Sequence, residues 1–358
     1  MNAPAVRPPS VEPAAPDAVR RAVARGRTRR AARRRLVVLT LALLVVAGFA
    51  VTLMYGQTFY PPRDVLRVVL GEQVPGASFT VGRLRLPRAV LAVTAGFSFG
   101  LAGVTFQTML RNPLASPDII GISAGASAAA AIAIVTLSLN ETQVSVLAIA
   151  AGLGVALLVY TLAFKDGVVG TRLILIGIGI AAMLDSVTSY VLSRAAEWDL
   201  QEAMRWLTGS LNGAAWEQVV PTLVALAVLA PVLLAKGRDL SALQLGDDTA
   251  AALGVRVERT RITLIVAAVG LIAFATAAAG PIAFVAFLSG PIAARLVGPG
   301  TSLLVPAGLV GALLVLAADF TGQFAFDHRY PVGVVTGVLG APYLIYLIIR
   351  THRAGGSL

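Results

Sequence analysis

The sequence predicts an all-α polytopic membrane protein: about ten transmembrane helices in a compact bundle, with both termini cytoplasmic. Three observations carry this. Of 358 residues, 57% are hydrophobic and only 13% are charged, whereas a soluble domain of this length carries roughly a quarter charged residues. The mean hydropathy is +0.82. Apolar runs of about 20 residues, enough to cross a hydrocarbon core, recur along the chain, and they lack the alternating polarity of a membrane β-barrel.

Residues 1–35 are Pro- and Ala-rich, with ten Arg and two acids. That composition builds no core and predicts a disordered cytoplasmic tail that holds the first helix by its charge. A nucleic-acid arm is the weaker alternative, and no nucleic-acid partner is expected. A twin-Arg export signal is rejected, because the apolar run that follows is too long for one and many spans come after it.

Spans are expected near 36–55, 88–110, 118–137, 143–164, 171–193, 216–235, 261–279, 281–297, 302–319 and 331–350, with residues 351–358 as a short inner tail. The span at 281–297 is short and interrupted by Gly290-Pro291; neighbouring groups can satisfy the backbone so freed. Ten spans put both termini on one side. Twenty-one of the 29 basic residues then fall on the side of the tail, which makes that side the cytoplasm. Gly pairs four apart, Gly96 with Gly100, Gly121 with Gly125 and Gly333 with Gly337, allow helix backbones to approach closely.

Between the second and third spans lies "RNPLASPD", a polar turn with Asn112, Pro113 and Pro117. The inner segment "KGRDLSALQLGDDTAAALGVRVERTR" is the longest internal polar stretch on that side. Asp239 or Ser241 can cap one short helix there, and Asp247 or Asp248 a second. Gly254 can close the second in a left-handed turn. Two short helices make a rigid knob; the alternative is a solvated connector.

On the outer side, "EWDLQEAMRWL" predicts an amphipathic surface helix, and all three Trp of the chain lie in or beside it. Anchoring at the interface and roofing a central path are both compatible with it. "RLRLPRAV" places Arg83, Arg85 and Arg88 against the positive-inside trend and at a helix start, where the macrodipole disfavours cations. Docking an acidic partner and snorkelling to the headgroups are both open. Asp185 is the one acid expected deep in a span, and an intramembrane carboxylate is a functional candidate.

There is no Cys and there are two His far apart, so no thiolate metal site can form, and no cluster fit for covalent chemistry is visible. Neither Lys stands in a P-loop context. If ATP powers this chain, a separate subunit binds the ATP and its Mg.

Six segments run in order after the tail: "LRLPRAVLA", "QTMLRNPLASPDIIGISAGAS", "RWLTGSLNG", "LGDDTAAALGVRVERTR", "GPIAFVAF" and "YPVGVVTGVLGAPYLIYLI". Together they resemble the FecCD/BtuC-type permeases of bacterial ABC importers for iron chelates and cobalamin. The resemblance implies a non-enzymatic permease domain over 36–350 in a bacterial cytoplasmic membrane. It also implies a second permease copy or paralogue, two ABC ATPase subunits and an extracytoplasmic solute-binding protein. Residues 240–256 would be coupling helices, with Leu245, Gly246, Asp248, Ala251, Leu253 and Gly254 at the ATPase. Arg85 and Arg88 would meet acids of the binding protein, and the fifth and tenth spans, including Asp185, Gly333 and Gly337, would line the path. Two departures stand out. The family's Pro-His pair in the eighth span is absent from "LSGPIAARL". Its Arg after the ninth span is replaced by Gln323, with Arg329 as the available substitute. The first departure and "RWLTGSLNG" look more like ferric-siderophore permeases than cobalamin ones, with a cobalamin or haem importer permease as the alternative. An ion-coupled secondary carrier is the rival class.

Overall fold

The computed structural model describes residues 16–116, 121–163, 170–300 and 302–353. Those residues form helices and loops, with no strand among them. Ten helices fall on the ten expected spans: α1 (Pro16–Met54), α3 (Leu86–Met109), α4 (Ile122–Val135), α5 (Glu141–Ala163), α6 (Gly170–Ser193), α8 (Trp216–Ala235), α11 (Val257–Ala279), α12 (Val285–Val297), α13 (Leu304–Phe324) and α14 (Val332–Arg353). Seven are long and apolar enough to cross a membrane; Ile122–Val135, Val285–Val297 and Val332–Tyr346 are shorter apolar stretches. The short helices α2 (Pro62–Val69), α7 (Glu197–Leu207), α9 (Gly237–Leu243) and α10 (Asp247–Ala252) lie between them.

α3 is the central pillar. Of its most apolar window, 83% is buried, against 11% for α6. Its burial follows from its glycines. A Cβ on Gly96 would strike the backbone of Gly311 and Ala312, one on Gly100 the Ala307 carbonyl, and one on Gly103 the Ala286 carbonyl. α12 and α13 therefore lie on α3 backbone to backbone, as small residues permit in a membrane where lipid is as apolar as Leu.

Two features differ from expectation. The Arg-rich segment is not disordered where it is described: from Pro16 it is helical and continuous with the first span. Arg and Ala are strong helix formers, and a helix already nucleated in the bilayer extends at little cost. Residues 1–15 lie outside the described residues, as do 354–358 of the inner tail. The second difference is the outer segment 62–85, which carries no element in the sequence reading. Pro62 starts α2 at a position suited to proline. A π-helical stretch, Ser78–Arg85, then runs into α3. Val65, Val74, Ala77 and Val81 bury a small outer core with Leu53.

The interrupted α12 is satisfied as anticipated. Pro291 offers no N–H to the Phe287 carbonyl; Gln107 Nε2 of α3, itself buried, donates to that carbonyl at 2.9 Å. Gln107→Leu strands the acceptor, so a lower detergent melting temperature is expected, by the equivalent of about 1–3 kcal/mol. Adding Pro291→Ala, which restores the helical N–H, recovers most of the loss. Equal melting of wild type and Gln107→Leu would contradict the assignment.

Candidate functional site

The inner knob is built as two short helices. α9 is held at its start by Lys236 Nζ on Asp239 Oδ2, at 2.9 Å, and Thr260 Oγ1 donates to the same oxygen. α10 begins at Gly246 with no side-chain cap. The expected carboxylate caps are thus absent: Asp239 sits inside the first turn and Asp247 at the first helical position, where acids still favour the dipole. Gly254 ends α10 at φ +86°. Its N–H donates to Ala251 O and the N–H of Val255 to Ala250 O, the paired bonds of a Schellman turn.

The knob's residues divide by exposure. Leu243 and Ala250 are buried beneath it, while Leu245 and Leu253 are 63% and 64% exposed. Asp248, Ala251 and Gly254 are exposed as well, and Gly246 is half-buried at φ +106°. Two bare leucines beside an acid on a polar face are the composition of a docking surface.

The turn after α3 is tied to this knob. Asn112 Oδ1 accepts the Leu114 N–H at 2.9 Å, and the Asn112 carbonyl accepts the Ala115 N–H, so the turn around Pro113 is closed by its own side chain. Pro117 lies outside the described residues. Arg111, at φ +51°, bonds Asp247 Oδ1 at 3.0 Å, and Arg261 of α11 bonds both oxygens of that carboxylate. Asp247 therefore ties α3, α10 and α11 together. Sequence reading missed this three-way clamp because its members lie 14 and 136 residues apart.

On the outer side, two of the three arginines expected to await a docking partner are already engaged. Arg85 Nη1 donates to Leu53 O and Met54 O, Nη2 donates to Thr58 O, and the guanidinium lies 5.2 Å over the Tyr60 ring. It caps the C-terminal end of α1, where carbonyls lack partners and a cation suits the dipole. The cost of a cation at the start of one helix is offset at the end of another. Arg88 makes a bidentate bond to Asp319, at 2.8 and 2.7 Å, and a third bond to Asn212 Oδ1 at 2.6 Å. Gln323 Nε2 adds a donor to Asp319 at 3.1 Å. The pair is shielded, with side-chain exposures of 16% and 3%. The expected span 302–319 would end on Asp319; α13 runs on to Phe324 and encloses it. By contrast, Arg83 and Arg329 are exposed and make no ion pair among the described residues.

α6 turns a polar stripe away from the bundle: Asp185, Ser186, Ser189 and Ser193 are all exposed. The Ser186 and Thr188 hydroxyls donate to the carbonyls of Ala182 and Leu184, not to the Asp185 carboxylate. On α14, Gly337 faces open space, with nothing within 4 Å of a Cβ placed there. Gly333 does not. It is buried, its N–H donates to Gly209 O at 3.0 Å, and a Cβ would run into the Thr208 carbonyl. Its place is packing, a correction to the expected path-lining role.

α7 forms on "EWDLQEAMRWL" as expected, with Ala203 buried and Trp198 83% exposed. Beside it a small, solvent-open pocket is lined by Glu141, Glu202, Arg205, Trp206, Asn212 and Gln218. The loop that follows α7 interlocks with its neighbours. Gly209 presses on Pro281, Gly280 on Gly209 and Trp206, and Gly333 on Thr208.

A bundle of long apolar helices with an exposed inner knob has the architecture of a membrane transport subunit. Comparison with known proteins gives the family: residues 43–350 match the FecCD transport family, and the chain belongs to it. It is a multi-pass protein of the cytoplasmic membrane. It is 40% identical over 332 residues to the ferric enterobactin transport system permease protein FepG of Escherichia coli (strain K12), covering 89% of this chain and 98% of that one. It is 38% identical to the achromobactin transport system permease protein CbrC of Dickeya dadantii (strain 3937), covering 87% and 90%. A solved chain from an inward-facing ABC transporter of metal-chelate type superposes with a TM-score of 0.79 at 27% identity, over 88% of this chain and 99% of that one.

Proposed function

We propose that this chain is the membrane subunit of an ABC importer for ferric siderophores, crossing the bilayer ten times with both termini inside. It moves its solute by alternating access while separate ATPase subunits hydrolyse Mg-ATP. The exposed Leu245–Leu253 surface carries the mechanism. It is a rigid inner protrusion, clamped through Asp247 to α3 and α11, so a push on it is delivered to the centre of the bundle. Leu245, Gly246, Asp248, Ala251, Leu253 and Gly254 meet the ATPase. The ferric enterobactin and achromobactin systems of the two named relatives support the solute class and favour it over cobalamin.

Two copies, or this chain and a paralogue, enclose the path. The stripe on α6 supports this, because a carboxylate and three hydroxyls on an outward face suit a water-filled interface better than lipid. Asp185 and Gly337 line that path. An extracytoplasmic binding protein delivers the solute, and Arg329 with Arg83 offers it exposed cations that make no ion pair among the described residues.

The test is reconstitution in liposomes with the cognate ATPase and binding protein, using a panel of ferric siderophores, haem and cobalamin. ATP-dependent accumulation of a ferric siderophore is the expected result. Accumulation of cobalamin or haem alone would move the chain to that branch. Uphill uptake by the permease without an ATPase, driven by a proton gradient, would overturn the proposal in favour of a secondary carrier.

A further inference from the structure

We infer that residues 29–35 of α1 form a collar that binds the headgroups of anionic phospholipids. The argument starts from continuity. α1 runs unbroken from Pro16 to Met54, and its apolar part, residues 36–54, spans about 28 Å at 1.5 Å per residue. That matches a hydrocarbon core of about 30 Å. Arg35 therefore stands at the headgroup boundary, and Arg29 about 9 Å further out along the axis.

Among the described residues the charge of this collar is not met. Arg29 and Arg35 are exposed and Arg34 is half-buried, and none of the three makes an ion pair or hydrogen bond among the described residues. The adjoining inner ends of α12 and α13, residues 286–303, contain no acid. Arg33 serves a separate purpose. Its Nε and Nη2 donate to the carbonyls of Leu296 and Arg295, at 3.1 and 3.3 Å, and so cap the end of α12. That contact fixes the helix against the bundle and holds the remaining arginines at membrane depth. The collar precedes the segment that matches the family, which begins at residue 43.

Depth selects the occupant. Surface potential decays within a Debye length, about 8–10 Å at physiological salt, so a membrane reaches residues 29–35 and not Arg20 or Arg21, about 21 Å out. A soluble acidic partner would reach both. Juxtamembrane basic clusters of this size attract anionic lipid. The inference does not rest on the transport reading, and its test measures no transport.

The chain has no Cys, so Thr28→Cys carries a single fluorophore in the full-length protein. Energy transfer from it to labelled phosphatidylglycerol, and separately to labelled phosphatidylcholine, is measured in mixed nanodiscs. The expected result is enrichment of phosphatidylglycerol that falls about tenfold in Arg29→Gln/Arg34→Gln/Arg35→Gln and is unchanged in Arg20→Gln/Arg21→Gln. In the protein with all its arginines, raising salt to about 1 M, where screening acts within ~3 Å, removes the enrichment without risk to folding. Equal proximity of the two lipids at low salt, or equal sensitivity to the outer pair, would overturn the inference; the second result would show that lipid attraction is spread along the whole basic segment and not set by depth.

Discussion

Asp319→Ala is expected to leave little folded permease. The substitution removes two of the three acceptors of Arg88 and strands a guanidinium shielded from water. Breaking a buried pair on one side costs about 3–5 kcal/mol, a large share of a typical stability of about 5–15 kcal/mol. Arg88→Ala does the same from the other side. The double change Arg88→Met/Asp319→Leu removes both charges and is expected to recover most of the loss, since apolar side chains of similar volume fill the site. Fluorescence-detected melting in detergent reads all four proteins. Additive losses in the double variant would show that the pair is not a unit, and the outer ends of α3 and α13 would have to be held by the glycine contacts alone.

The knob predicts the reverse pattern, a stable protein that does not work. Leu245 and Leu253 are about two-thirds exposed, so Leu245→Asp/Leu253→Asp disturbs little packing, and melting is expected to stay within about 0.5 kcal/mol of wild type. If these side chains are the anchors of an ATPase interface, their loss costs about 2 kcal/mol each, close to a thousandfold in affinity for the pair. Co-purification with the ATPase and ATP-driven uptake are both lost. A variant that still retains the ATPase would sever the knob from its proposed role while leaving the family membership untouched.

How much of this was legible beforehand depended on the range of the interaction. Local signals read well. Apolar length gave seven long helices and three shorter apolar ones, Gly254 gave its turn, and the amphipathic spacing in "EWDLQEAMRWL" gave α7. Gln107 shows the limit. The need for a donor at the break in α12 follows from Pro291, but its identity is set by α3, 180 residues away. Arg88 and Asp319 were each visible, yet the span containing Asp319 was ended five residues early, so the acid read as a helix end. Arg85 was read by the helix it begins, when its partners belong to the helix that ends beside it. Gly333 and Gly337 share one spacing; only packing separates a glycine wedged on the Thr208 carbonyl from one that faces open space. The Arg-rich segment was judged by its inability to form a core, although a helix anchored in lipid needs none.

The glycine interlock at the outer ends of α7, α11 and α14 has a mechanical consequence. Side chains can yield by changing rotamer; main chain seated directly on main chain cannot. Gly209, Gly280 and Gly333 leave no cushion between those three ends, so they are geared: a tilt of α14 drags α7 by the same amount. Spin labels on Trp198→Cys and Val338→Cys should therefore keep one separation in every nucleotide state, while either label changes its distance to α3.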